Sequence, residues 1–265
     1  MVEDIGPILK KWNYNAKDLN VRIVDGLDGK QKLQMRLDLG ILQMELDGRP
    51  DGKKPHRCDS YLTYLEKKSR NIEFNSTDGN LYHLSATDCL NLQQESIQYY
   101  HRYLALMKLG DFARVARDTA RNLRVFDFVQ QHGQNEEIKW SFEQYRAYVV
   151  MMNVRARASL SLTKSNYKEA LKYISEGIEK IERFQKKFVD RLPGEQLELD
   201  FLKHWKEEVR SNIPLSKHEM LTEALKEAVR REEYEQAAVL RDKLCALSST
   251  VKDDMSKSRS IRKTQ

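Results

Sequence analysis

The feature that most restricts how this chain can fold is a long series of apolar residues at helical spacing, which begins near Ala86. From there on, apolar side chains recur three and four positions apart, the pattern of helices with one buried face. With only 11 glycines and 5 prolines in 265 residues, few positions interrupt such helices. Turn-forming stretches divide the series into predicted helices from Ala86 up to Gly110, at Phe112–Gln131, Trp140–Thr163 and Tyr167–Val189, and from Leu197 to Val209. The chain is therefore predicted to be mainly α.

Three of the predicted turns share a local sequence form: Gly110-Asp111-Phe112, Ser165-Asn166-Tyr167 and Glu232-Glu233-Tyr234. In each, an aromatic residue opens the second helix, and a small or β-branched residue follows three positions later, so that two helices can approach closely. These later residues are Val115, Ala170 and Ala237. The shared form predicts repeat-like helical hairpins.

The amino-terminal part has a different pattern. Between Val21 and Leu46 apolar and polar residues alternate, which is the spacing of strands with one buried face, and glycine-containing turns such as Asp25-Gly26 separate the runs. This pattern predicts a small antiparallel β meander. Because so small a sheet is marginal alone, its apolar face is expected to lie on helices, with Ile5–Trp12 and Ser60–Lys68 as the candidates.

Charge and cysteine content limit the class of protein. The 46 basic and 40 acidic residues give a net charge of +6, and mixed signs of this kind are typical of salt-laced helix surfaces. The tail Val251–Gln265 has five basic residues and two aspartates, and it is predicted to be disordered. Three widely spaced cysteines argue against a disulfide framework and indicate a reducing, cytoplasmic location. No apolar run is long enough to predict a membrane-spanning helix.

Near the carboxyl end the sequence predicts a separate helical hairpin. Ser216-Lys217-His218-Glu219 has the form of a capping box, in which the serine and glutamate side chains satisfy each other's backbone amides. Apolar residues then line the facing sides of two short helices. They are Leu221, Ala224, Leu225, Ala228 and Val229 on the first helix and Ala237, Leu240, Leu244 and Leu247 on the second. A unit of this size buries too little apolar surface to be very stable alone, so it is expected to need a partner surface.

The same segment resembles a known family. Residues 221–247, LTEALKEAVRREEYEQAAVLRDKLCAL, look like the UVR motif of the UvrB and UvrC excision-repair proteins, of Clp-type ATPases and of activators of bacterial protein arginine kinases. The matching residues are Leu221, Leu225, Ala228, Glu232, Tyr234, Glu235, Ala237, Ala238, Leu240, Arg241, Asp242 and Leu247. In that family the hairpin docks on proteins, so the resemblance implies a protein partner: another UVR-motif protein, a Clp-type ATPase, or a second copy of this chain.

The resemblance also suggests which residues contact the partner, with Tyr234 at the aromatic position that the family presents at the turn. The expected partner-binding residues are Leu221, Leu225, Tyr234, Ala237, Ala238, Leu240, Arg241 and Leu244. The rest of the chain departs from the named members, because it has no Walker A sequence, no nuclease-like segment and no C-x-x-C. No catalytic activity is therefore carried over.

A second, partial resemblance concerns the helical body. Val154–Ile181 resembles a tetratricopeptide repeat through Ala158, Tyr167, Ala170, Ile174 and Gly177. However, the three turn aromatics are 55 and 67 residues apart, whereas that repeat recurs at about 34 residues. Repeat-like hairpins are expected rather than a regular superhelix.

Two other groups of residues resemble binding sites, but we interpret both as ordinary structural residues. His56, Cys58 and Asp59, followed by His83 and Cys89, include zinc-ligand types, but their spacing fits no compact site. The segment Asp47–Gly52 is interpreted as a tight connection rather than a calcium or phosphate loop, with Arg49 as a possible exposed contact for a partner.

The tyrosines of the body are expected to be mostly core residues. A nucleic-acid groove is conceivable where tyrosines lie near several arginines, but acidic residues interleave with them. Asp118 and Arg121 are interpreted as an ion pair within one helix. The residues concerned are Tyr99, Tyr100, Tyr103, Tyr145 and Tyr148, with Arg102, Arg114, Arg117 and Arg121.

These features together predict a mainly α protein with repeat-like helical hairpins, a small N-terminal antiparallel β meander and a C-terminal helical hairpin. The expected parts are a β-meander cap at 1–70, a helical body at 86–212, the UVR-like hairpin at 215–249 and a disordered basic tail at 250–265. The expected function is that of a non-enzymatic bacterial adaptor or scaffold, without cofactor or metal, which docks a partner through the hairpin. The alternative is a nucleic-acid-associated DNA repair or stress-response factor whose tail contacts the nucleic-acid backbone.

Overall fold

A computed structural model describes residues 4–75, 82–192, 197–215 and 217–245, and within 217–219 it describes the backbone alone. The chain divides into two compact units, Met1–Arg210 and Ser211–Gln265. The mainly α prediction is confirmed, with one small sheet near the amino terminus and a helical hairpin near the carboxyl end. The predicted disordered tail lies outside the described residues.

The sheet of the first unit is the predicted antiparallel meander. Its strands are β1 (Asn20–Asp25), β2 (Gln31–Arg36) and β3 (Ile41–Glu45), in the order β1-β2-β3. Leu33 on the central strand lies opposite Ile23 on one side and Met44 on the other. Leu33, Met35 and Met44 are buried, which confirms that the alternating apolar residues mark one inward face.

The helices of the first unit follow the predicted series. A short α1 precedes the sheet, and two single turns of 3-10 helix occupy Pro55–Arg57 and Val189–Arg191. The helices are α1 (Gly6–Lys10), α2 (Tyr61–Asn75), α3 (Ala86–Leu109), α4 (Phe112–His132), α5 (Glu136–Glu143), α6 (Arg146–Leu162), α7 (Tyr167–Lys187) and α8 (Leu197–Ser211). None of the described helices combines the length and the apolar character needed to cross a membrane.

The helix predicted at Trp140–Thr163 is in fact two helices, α5 and α6. At the junction the Tyr145 amide donates to the Phe142 carbonyl at 3.1 Å, three residues back rather than four, which tightens the chain into a turn. The Glu143 carboxylate is buried and accepts from Arg146 at 2.6 Å across this turn. No glycine or proline lies at the junction. Because the apolar spacing is not interrupted there, the sequence pattern predicted a single helix.

Two apolar clusters form the core of the first unit. One contains the inward face of the sheet together with residues of α3, α4, α6, α7 and α8, and the other contains residues of α2, α3, α4, α5 and α6. The sheet therefore packs against helices as predicted, but the main helix beneath it is α3, with Tyr103 and Leu106 in the same cluster. Of the two segments expected to cover the sheet, Ile5–Trp12 contacts it through Trp12, whose ring lies 4.0 Å from the Arg22 guanidinium, although α1 has no buried residue. The other segment, in α2, contributes to the second cluster instead.

A buried ion pair joins the end of the sheet to the helices. Arg102 on α3 and Asp118 on α4 are both fully buried, and two hydrogen bonds of 2.7 and 2.8 Å connect their side chains. The third Arg102 nitrogen donates to the carbonyl oxygens of Glu45 and Gly48, each at 2.9 Å. Because both ions are enclosed, each depends on the other to compensate its charge.

The second unit contains the predicted helical hairpin. Its helices are α9 (Lys217–Arg230) and α10 (234–245), joined by a turn of three residues. The side chains of the proposed capping box, Ser216 to Glu219, lie outside the described residues, as does Leu247.

Candidate docking surface of the C-terminal hairpin

The turn of the hairpin has the same backbone form as the two turns of the body that share its sequence pattern. In each turn one residue adopts the left-handed conformation, with φ of 77° at Gly110, 55° at Ser165 and 61° at Glu232. The amide of the next residue donates to the carbonyl five positions back, as from Glu233 to Ala228 at 2.9 Å. This pair of features is the Schellman ending of a helix, so the predicted resemblance between the three turns is confirmed at the level of the backbone.

The seam between α9 and α10 contains small residues at its most enclosed points. Ala228 on α9 is 3% exposed and Ala237 on α10 is 8% exposed. Half-buried leucines continue the seam away from the turn, at the helical spacing of one face. They are Leu221 and Leu225 on α9 and Leu240 and Leu244 on α10. These six residues are the least exposed apolar side chains among the described positions of the hairpin.

Two residues predicted to line the seam face outward instead. Ala224 is exposed and Val229 is 51% exposed. Each is a sequence neighbour of a seam residue, and one position turns a helix by about 100°, so a neighbour lies well away from the seam. The seam is therefore narrower than the apolar pattern suggested.

A row of exposed residues runs along the outer side of α10. Tyr234 is 68% exposed, and Ala238 and Arg241 are exposed as well. Their spacing of four and three positions places them on one face, next to the seam row but distinct from it. We call Tyr234, Ala238 and Arg241 the outer row. All three were among the expected partner-binding residues, whereas Ala237 is too enclosed to offer contact area itself.

Further exposed apolar residues in the hairpin were not among the expected contacts. Met220 is 58% exposed and Val239 is 53% exposed, and with Val229 they add apolar surface outside the seam. The sequence could have identified these residues, because they are large apolar side chains at positions outside the seam spacing. The hairpin thus leaves much of its apolar surface open among the described residues.

The charged groups of the hairpin form pairs at its surface. Glu227 accepts from Arg230 and from Arg231, each at 2.8 Å, and the hydrogen bond from Arg230 holds the pKa of the Glu227 carboxyl below its ordinary value. Arg241 lies 3.4 Å from the exposed carboxylate of Asp242. Such exposed pairs are screened by solvent and contribute little to stability, so the Arg241 guanidinium can exchange Asp242 for a partner's carboxylate at small cost.

Arg49, which the sequence suggested as an exposed contact, is instead directed into the body. Its side chain is 16% exposed, with Nε 3.0 Å from the Asp51 carboxylate and 3.6 Å from that of Glu95. Glu95 is fully buried, and a buried carboxylate requires cations around it. The expected role of Arg49 in partner contact is therefore wrong.

The predicted ion pair between Asp118 and Arg121 is also wrong. Asp118 bonds Arg102 and, at 2.9 Å, Arg117, while Arg121 bonds the carboxylate of Glu95. Burial lowers the pKa of Arg121 to about 9. The spacing of Asp118 and Arg121 within α4 allowed a local pair. However, both side chains are enclosed where α3 packs against α4, and each pairs with an oppositely charged residue of α3.

The arginines that suggested a nucleic-acid groove are occupied within the body. Arg114 and Arg117 both bond Asp47, and Arg102 and Arg121 have the partners just described. Of the nearby tyrosines, Tyr99 and Tyr103 are buried as expected. Tyr148 is half-buried and packs against both core clusters, as expected, whereas Tyr100 and Tyr145 are exposed beside an open groove.

The residues of zinc-ligand type do not converge. His56 stacks on Tyr64 with ring centroids 3.9 Å apart, Cys58 is buried and Cys89 is half-buried. Among the residues that the structure describes, no group of three or more His, Cys, Asp or Glu side chains is arranged to hold a metal ion. Burial raises the pKa of the Cys89 thiol, which makes it a weaker nucleophile and ligand.

The comparison with known protein families identifies the hairpin. Among the solved structures and the curated proteins, none matches this chain. Residues 216–249, which contain the two helices and the outer row, match the model of the UVR family, described as the UvrB/uvrC motif.

Proposed function

We propose that this protein is a non-enzymatic adaptor or scaffold that docks on a protein partner through its C-terminal UVR hairpin. The observation that carries the proposal is the outer row, in which a tyrosine, an alanine and an arginine stand exposed along one side of α10 inside the segment that matches the motif. Tyrosine and arginine are the residue types that contribute most at protein interfaces, and a small neighbour such as Ala238 lets a partner approach the helix closely.

The energetics of the hairpin support the same function. Its described residues include only two that are buried, Ala228 and Ala237, and both have small side chains. Burial of apolar area is worth roughly 25 cal/mol per Å², so two alanines and four half-buried leucines supply little stabilisation. A partner that covers Tyr234, Met220 and Val239 would add the missing burial. Candidates for this partner are another UVR-motif protein, a Clp-type ATPase or a second copy of this chain.

The proposal is tested by altering the outer row without altering the seam. Ala238→Arg places a long charged side chain on the proposed contact surface, and Tyr234→Ala removes its largest apolar group. Gln236→Arg makes the same insertion on the same helix two positions away, outside the outer row. Crosslinking and mass spectrometry of the tagged protein in its own cells would compare these variants with a chain that ends at Pro214.

We expect the partner captured by the native chain to be lost from the shortened chain and from Ala238→Arg, reduced in Tyr234→Ala and retained by Gln236→Arg. Recovery of the same proteins in the same amounts by Ala238→Arg would show that docking does not use this surface.

The alternative function, in a nucleic-acid-associated factor, rests on the basic composition of the tail Val251–Gln265. It predicts binding to duplex or single-stranded DNA that weakens steeply with salt and is lost on deletion of the tail. No binding at low salt would eliminate this alternative.

A further inference from the structure

An open apolar groove lies in the first unit, between α3, α4 and the junction of α5 and α6, and neither the docking function nor the family match involves it. Its volume is about 430 Å³, within the range of small-molecule sites. Phe126, Phe142 and Val149 are buried at its base, while Ile97 is 50% and Tyr145 53% exposed at its edge. Ser141 and Phe142 at the end of α5, and Tyr145 between α5 and α6, are among its lining residues.

The chemistry of the groove is uncharged and mostly aromatic. None of its thirteen lining residues is an aspartate, glutamate, lysine or arginine, although such residues make up 32% of the chain. Tyr100 and Tyr148 stand with ring centroids 6.3 Å apart, and Tyr100 meets the buried ring of Tyr103 edge-on at 5.5 Å. A charged occupant would lose its hydration here without gaining a counter-ion, so the lining favours a neutral one.

The polar groups of the lining differ in whether their hydrogen bonds are already used. The Ser96 hydroxyl donates to the Leu92 carbonyl and the Ser141 hydroxyl to the Ile138 carbonyl, each at 2.7 Å. Tyr100, Tyr145, Tyr148 and His101, in contrast, make no side-chain hydrogen bond to any residue that the structure describes. Burial lowers the pKa of His101 and raises that of the Tyr148 hydroxyl, which keeps both groups neutral at pH 7.

We propose that this groove is a binding site for a neutral, planar aromatic small molecule, whose rings pack against Tyr100 and Tyr148 and whose polar edge bonds the tyrosine hydroxyls and His101. Offset and edge-to-face contacts with the tyrosine rings would orient the ligand. Every residue that lines the groove belongs to the first unit.

The probe for this site is N-phenyl-1-naphthylamine, a neutral fluorophore, compared with 8-anilinonaphthalene-1-sulfonate, which has the same rings and a negative charge. Two groove variants are Tyr145→Ala and Ile97→Lys, whose exposed side chains can be changed without disturbing the core. Their matched controls are Tyr14→Ala and Ile72→Lys, which change residues 41% and 39% exposed outside the groove.

We expect the neutral probe to bind the native chain at a single site and at least tenfold more tightly than the sulfonate. Each groove variant should weaken the neutral probe by about tenfold, which corresponds to the loss of one aromatic contact or the addition of one charge, whereas the controls and Tyr234→Ala should not weaken it. Tryptophan fluorescence and circular dichroism would establish that the variants are folded.

Three results would overturn the proposal. The first is equal affinity of the native chain and both groove variants for the neutral probe. The second is sulfonate binding as tight as that of the neutral probe. The third is a macromolecular occupant, detected as self-association or as a stoichiometric protein partner that Ile97→Lys abolishes and Ile72→Lys retains.

Discussion

The hairpin of α6 and α7 and the hairpin of α9 and α10 have turns of the same backbone conformation, but they differ in how much of their surface is buried. Ser165 and Glu232 occupy the same left-handed position, and a tyrosine opens the second helix of each. Tyr167 packs against the core of the body, whereas Tyr234 is 68% exposed. A turn therefore determines that two helices form a hairpin, while the residues that pack against the hairpin determine how much of its surface is buried.

Burial shows the same difference. Along α7 six residues are buried, among them Ile174 and Ile181, which are fully enclosed, and a methyl group at Gly177 would overlap the Val154 side chain of α6. The described part of the terminal hairpin has one buried alanine in each helix. All three tryptophans, Trp12, Trp140 and Trp205, lie in the first unit, so tryptophan fluorescence reports the unfolding of the body.

The largest expected difference in stability is between removal of a buried ion pair from the body and removal of an exposed ion pair from the hairpin. Asp118→Asn leaves the enclosed Arg102 without a counter-ion and should lower the free energy of unfolding of the body by about 3–5 kcal/mol. Glu227→Gln removes a carboxylate that pairs at the surface of the hairpin and should leave the tryptophan-detected transition in urea unchanged. Replacement of both buried ions, in Arg102→Met with Asp118→Leu, should recover part of the loss; equal stability of Asp118→Asn and the native chain would contradict the comparison.

The next effect comes from apolar burial. Ile174→Ala empties a fully enclosed position and should cost about 3 kcal/mol in the same urea titration. Leu225→Ala changes a half-buried residue of the terminal seam and should not move the tryptophan-detected midpoint. A shift of that midpoint by Leu225→Ala as large as by Ile174→Ala would mean that the hairpin is part of the core of the body.

The turns themselves allow a smaller, paired test. Gly110→Ala should lower the stability of the body by about 1 kcal/mol, because a residue with a Cβ is strained at a φ of 77°. Glu232→Gly removes the corresponding strain from the hairpin and should slow amide hydrogen exchange at Val229 and Ala238 several-fold. If Glu232→Gly speeds exchange there instead, the left-handed turn does not form in solution.

The smallest effect is a dependence on pH. Hydrogen bonds from Arg114 and then Arg117, acting against partial burial, lower the pKa of Asp47 to about 2. Since the folded pKa is depressed, the stabilisation is complete above the ordinary carboxyl pKa and disappears as the pH falls through about 2. The melting temperature of the native chain should exceed that of Asp47→Asn by a constant amount above about pH 4, and the difference should vanish near pH 2. A difference that does not change with pH would contradict the pairing.

The sequence was informative wherever local pattern and local structure coincide. Alternation between Val21 and Leu46 predicted three strands, and the turn form at Gly110, Ser165 and Glu232 predicted three hairpins. These features depend on residues close together in the chain, for which periodicity and turn chemistry are direct guides.

The features that the sequence did not predict depend on which distant residues meet. The partner of Arg121 is Glu95 on another helix, and the junction at Tyr145 lies beside the buried residues Phe142 and Glu143 and contains no helix-breaking residue. Val229 is exposed although its sequence neighbour Ala228 is buried. In so short a helix the apolar pattern does not show which of two adjacent apolar residues faces the seam. The aromatic groove required the same long-range information, since its sides come from four helices.

The central claim, that the outer row of the hairpin is covered by a partner, is tested most directly by hydroxyl-radical footprinting of Tyr234. The tagged chain would be oxidised once after purification and once in an extract of its own cells, with Phe74 on α2, 89% exposed, as the internal reference. We predict that Tyr234 is oxidised readily in the pure protein and is protected in the extract, while Phe74 reacts equally in both. Equal oxidation of Tyr234 in the two samples, or its protection in the pure chain at every dilution, would contradict this account.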